Sequence, residues 1–70
     1  MFGYKLTQEQ RLIAQARYQE FIKAGANPSA ARNAAEAITI EEFFPEYQRT
    51  PYDKADIHEV WQALITNNND

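Results

Sequence analysis

The stretch Asn27-Pro28-Ser29-Ala30-Ala31-Arg32-Asn33-Ala34-Ala35-Glu36-Ala37-Ile38 carries the firmest structural instruction in this chain of 70 residues. Asn27 is a preferred helix N-cap, and Pro28 stands where its missing N–H costs nothing, at the first helical position. Ala31, Ala34, Ala35 and Ile38 then recur at i, i+3, i+4 and i+7, the spacing of one helical face. A face of such small side chains brings neighbouring helices close, because interaxial distance follows the side chains at the contact.

Working outward, Gly25 supplies the left-handed position that ends a preceding helix at low cost. That helix opens at Thr7-Gln8-Glu9-Gln10, a capping box in which the Thr7 hydroxyl and the Gln10 side chain each bind the other's backbone N–H. Its apolar positions Ile13, Ala14, Tyr18, Phe21, Ile22 and Ala24 share one broad arc, and Leu12 lies roughly opposite. Downstream, Thr39-Ile40-Glu41-Glu42 reads as a second capping box, with Ile38 and Phe43 placed as a hydrophobic staple. Ile40, Phe43, Phe44 and Tyr47 form a stripe that one unbroken helix would set about 170–180° from the alanine stripe. A bend at Thr39 would bring both to one core, and Pro45 would keep the resulting helix short or kinked. Thr50-Pro51-Tyr52-Asp53 opens the last helix, whose stripe is Ile57, Val60, Trp61 and Leu64 with Ile65 beside it.

The expected architecture is therefore all-α, a small orthogonal bundle of three to four helices over residues 8–24, 28–38, 40–47 and 51–66. It is read as a single domain, 1–70, with an N-terminal arm (1–6) and a polar tail (67–70). Phe21, Phe43 and Trp61 are expected in the core. A chain this short buries only about 60% of its unfolded surface, so association with a second copy is one expected supplement.

Composition narrows the chemistry. With no cysteine, disulfides, thiolate metal sites and cysteine nucleophiles drop out. No run approaches the roughly 20 apolar residues of a membrane span, and the first residues lack the pattern of a secretory leader. The expectation is a cytoplasmic protein. The net charge of −3 divides unevenly. Residues 1–35 set Lys5, Arg11, Arg17, Lys23 and Arg32 against Glu9 and Glu20, and residues 36–70 set Arg49 and Lys54 against eight acids. Four of those acids, Glu41, Glu42, Asp53 and Asp56, fall in the expected first turns of the last two helices, where the helix dipole favours negative charge.

No catalytic constellation emerges. His58-Glu59-Val60-Trp61-Gln62 begins like the zinc-protease motif, but Gln62 stands where a second histidine must share the metal. His58 reads as a surface residue. Ser29, the only serine, sits at a helix start with no base assigned to it. Glycine-rich phosphate loops are absent, since the only glycines are Gly3 and Gly25. No metal, cofactor or enzymatic activity is expected.

Two binding classes remain. The aromatic content of 13% favours a noncatalytic module, a small regulator or inhibitor, that binds another protein, because aromatic residues dominate interface hot spots. Phe2, Tyr4, Leu12 and Tyr52 are the contact candidates: two lie on the arm, and two point away from their helices' apolar stripes. The alternative is a DNA-binding regulator. The segment Ala24-Gly25-Ala26-Asn27-Pro28-Ser29-Ala30-Ala31 resembles the turn of small helix-turn-helix proteins. That resemblance implies a recognition helix after Gly25, with Arg32 and Asn33 as base readers. Against it, Arg11, Arg17 and Lys23 project about 120° apart instead of forming a phosphate-tracking face. In size and acidity the chain is similar to small helical proteins of phages and mobile elements, many of which bind a host protein; this is an analogy of composition.

Overall fold

The structure, a computed structural model, describes residues 4–68. Three helices form a small all-α bundle: α1 (Gln8–Lys23), α2 (Pro28–Phe43) and α3 (Pro51–Asn68). Both α1 and α3 pack on α2, and they touch each other little.

The helix starts form as their residues dictate. Thr7 and Gln10 make a reciprocal capping box, with N–H donors 3.2 and 2.9 Å from their side-chain acceptors. The Asn27 side chain accepts the Ser29 N–H at 2.9 Å. Thr50 and Asp53 close a second reciprocal box at 3.1 and 3.0 Å. Between α1 and α2 the chain turns through a Schellman motif. Ala26 N–H donates to Phe21 C=O, Gly25 N–H donates to Ile22 C=O, and Gly25 takes φ 93°. Ala26 is buried in the hydrophobic core and Phe21 packs against that core.

The expected bend at Thr39 does not occur. Residues 28–38 and 40–43 form one continuous helix, and the chain from Phe44 to Tyr47 is not helical. Pro45 ends α2: a residue before proline is pushed out of the helical region, and Phe44 adopts φ −131°, ψ 81°. The two stripes need no bend because α2 is the central helix and is covered on more than one side. Ala30, Ala31, Ala34, Ala35, Ala37, Thr39 and Ile40 are all buried. At about 100° per residue they occupy an arc of roughly 260°. The wedge left open to solvent holds Ser29, Arg32 and Glu36.

Thr39, fully buried, is thus a mid-helix residue and not a cap. Its hydroxyl donates to the Ala35 carbonyl at 2.7 Å, the back-bonding available to threonine inside helices, and accepts from Arg17 of α1 at 2.9 Å. Glu41 and Glu42 consequently stand in the last turn of α2, where the dipole opposes negative charge. Two arginines offset this. Arg17 pairs with Glu42 at 2.6 Å, and Arg49 grips Glu41 with two bonds of 2.7 and 3.0 Å. The Glu41 contact also holds the Arg49 guanidinium above its ordinary pKa.

Asp53 is the polar centre of the bundle. It is 2% exposed and does more than occupy a helix start. One oxygen accepts from Asn33 of α2 at 3.0 Å. The other accepts from the Tyr47 hydroxyl and the Thr50 N–H. Burial by itself would raise its pKa, but the bonds from Tyr47, Thr50 and Asn33 outweigh it and leave the carboxyl below its ordinary value. Burial first, and then the bond to Asp53, push the Tyr47 hydroxyl up to about 12.

Two outcomes test these assignments. Gly25→Ala meets no steric obstacle, since an added Cβ has nothing within 4 Å. It should therefore cost only the conformational penalty of a positive φ, about 1–2 kcal/mol in urea denaturation. Stability should also fall at both pH extremes. The Asp53 contribution is complete above the unfolded carboxyl value of about 4 and lost as pH falls through its lower native value. The Tyr47 contribution is complete below the unfolded value of about 10 and lost as pH rises toward 12. Tyr47→Phe should abolish the alkaline loss and remove the late phase of a tyrosinate absorbance titration.

Candidate functional site

The contact candidates separate in the structure. Phe2 lies outside the described residues. Tyr4 is spent on the chain's own fold: its ring meets Phe44 and Tyr47 edge-on, with centroids 5.3 and 5.2 Å away. The turn that closes with Tyr47 N–H on Phe44 C=O at 2.9 Å sets those two rings side by side. Leu12 and Tyr52 are in the open, at 60% and 80% exposure. They sit in the first halves of α1 and α3, two helices that touch each other little.

Trp61 and Phe43 are not core residues as expected. Trp61 is 54% exposed, Ile65 51% and Phe43 38%. The core of α3 is the narrower stripe of Ile57 and Val60, with Ala63 and Leu64 partly buried against it. The cause lies in α2. An alanine surface brings α3 close but covers only a thin band of it, so side chains at the edge of the stripe stay outside. Lys54, His58, Trp61 and Ile65 consequently share one exposed face of α3, spanning about 60° by helical geometry. Sequence periodicity counts apolar residues, not the width of the surface that will cover them, so it placed Trp61 inside. α3 runs to Asn68, two residues beyond the helix end expected at 66; Asn69 and Asp70, in the expected polar tail, lie outside the described residues.

A second feature lies between α1 and α2. An open groove of about 450 Å³ is lined by Tyr4, Arg11, Gln15, Tyr18, Arg32 and Glu36, among others. The Arg32 guanidinium lies over the Tyr18 ring, 5.7 Å from its centroid. The Arg11 Nε donates a long bond of 3.4 Å to the Leu6 carbonyl. Asn33, the expected second base reader, borders a shallow pocket together with Arg32, but its amide is engaged within the fold. Its amide donates to Asp53 at 3.0 Å and Asp56 at 2.8 Å, so it joins α2 to α3. Asp56, read as a helix-start acid, is Asn33's second acceptor.

Among the described residues, no group of three His, Cys, Asp or Glu side chains is placed to hold a metal ion. His58 is exposed. Among the same residues no helix is long and apolar enough to cross a membrane. No family model matches the chain, and no curated protein or solved structure matches it either.

The placement of Trp61 has a direct measurable consequence. Burial of tryptophan in a core makes its truncation cost about 3–5 kcal/mol. Trp61→Ala should instead cost about 1 kcal/mol or less in urea denaturation, the scale of surface substitutions, and wild-type Trp61 fluorescence should be readily quenched by acrylamide.

Proposed function

We infer that this chain is a noncatalytic helical module that acts by binding another protein. The observation that carries the reading is the pair Trp61 and Ile65, one turn apart on α3 and each about half exposed. A small domain short of apolar burial gains stability by covering every large side chain it can. This one leaves its only tryptophan outside. Tryptophan is among the residues most enriched in interface hot spots, where truncation costs at least about 2 kcal/mol. Lys54 and His58 extend the same face and give it a polar rim. Leu12 and Tyr52 are further exposed contact points, and a second copy of the chain is among the partners this face can take.

The test is an affinity capture with the full chain, paired with sedimentation to fix its solution mass. Wild type should recover a defined partner or self-associate, and Trp61→Ala should weaken that association by about thirty-fold, as a loss of 2 kcal/mol requires. A strict monomer that recovers no partner, or a partner held equally by Trp61→Ala, would overturn the reading.

A further inference from the structure

The groove between α1 and α2 differs from the rest of the molecule in how its arginines are used. The chain holds four arginines and ten acids. Two arginines hold carboxylate partners: Arg17 pairs with Glu42 and Arg49 with Glu41. Arg11 and Arg32 have no carboxylate partner among the described residues, and both line the groove. Glu36 lines it too, one helical turn from Arg32, a spacing that suits an ion pair on a helix surface. Arg32 nevertheless lies over Tyr18 and not against Glu36. A guanidinium lying over an aromatic ring is drawn to the ring face by cation–π attraction while its N–H groups stay available at the edge. Arg11 uses its Nε on the Leu6 carbonyl, and its terminal nitrogens have no hydrogen-bond partner among the described residues. Gln15 and Gln19 complete the lining with neutral donors and acceptors.

We propose that this groove binds carboxylate side chains of an acidic peptide segment, through Arg11 and Arg32 with Tyr18 as the platform that orients Arg32. The planar guanidinium fork matches a carboxylate in two parallel bonds. Two forks facing one groove fit two acidic side chains close together in sequence. Nucleic acid is the less favoured occupant because affinity for a phosphate backbone grows with the number of phosphates neutralised, and the groove offers two arginines with Glu36 beside them, enough for a short acidic segment and few for a phosphate backbone. The inference takes its ligand's source, a protein, from the reading above, but it uses a different surface from the Trp61 face.

The experiment titrates isotope-labelled full-length chain with a hexapeptide of alternating glutamate and glycine, with its glutamine counterpart, and with an oligothymidylate. The glutamate peptide should shift the resonances of Arg11, Tyr18 and Arg32, and the glutamine peptide should bind at least about ten-fold more weakly, as loss of a charge-assisted bond requires. Arg32→Gln and Arg11→Gln should each weaken glutamate-peptide binding at least about five-fold. Arg49→Gln removes the same charge outside the groove and should leave binding unchanged, as should Trp61→Ala. Equal binding of the two peptides, no binding at millimolar peptide, or equal loss in Arg49→Gln would overturn the proposal. So would an oligothymidylate that occupies the groove more tightly than the peptide. Each of these failures would leave a Trp61-dependent association standing, and loss of that association would leave the groove result standing.

Discussion

Everything in this bundle depends on the surface of α2 being made of alanine. Five buried alanines, with Thr39 and Ile40, are wrapped by α1 and α3 over most of the helix circumference. Small side chains let both neighbours approach closely, and contact along the helix replaces the burial of large groups. The cost is coverage. A thin helix shields only a narrow band of each neighbour, so the core of α3 reduces to Ile57 and Val60 with flanking Ala63 and Leu64. The same constraint that packs the fold puts Trp61 and Ile65 on its surface.

Close packing is reinforced by a small number of polar contacts that cross between elements. Asp53 gathers Asn33 from α2, Tyr47 from the connecting segment and the N–H of Thr50 at the start of α3. Removing its carboxylate would leave each of those donors to find another acceptor, and a buried unsatisfied donor costs about 1–3 kcal/mol. At the end of α2 the acids Glu41 and Glu42 oppose the dipole, and Arg49 and Arg17 reach them from the connecting segment and from α1. Of these two pairs, Arg17–Glu42 joins the basic first half of the sequence to the acidic second half, and Arg49–Glu41 lies within the second half.

What those contacts leave over is the pair of surfaces on which the proposed binding rests. On α3, Lys54, His58, Trp61 and Ile65 share an open face. Between α1 and α2, Arg11 and Arg32 have no carboxylate partner among the described residues and stand beside Tyr18. One surface is apolar with a polar rim, and the other is a concave cationic groove. They use different helices, so a partner can engage either one or span both.

Local chemistry was legible in the sequence because it is settled by near neighbours. Thr7 with Gln10, Asn27 with Pro28, Gly25, and Thr50 before Pro51 each act within a few residues, and all four formed as read. The exposure of Leu12 and Tyr52 was legible for the same reason, being a matter of phase within one helix. Thr39 was not, because Thr-x-x-Glu serves equally as a cap or as an interior turn. The choice fell to Ala35, whose carbonyl takes the hydroxyl, and to Arg17, which arrives from another helix. Trp61 and Phe43 were misplaced because periodicity records which side chains are apolar, while burial depends on how wide a surface the neighbouring helix presents. An all-α chain and its helix starts follow from local residue chemistry. Long-range packing makes α2 central and unbroken, draws Asn33 and Tyr4 into contacts within the fold, and leaves Trp61, Arg11 and Arg32 facing outward. Those outcomes depend on contacts between residues far apart in the chain, which no local pattern encodes.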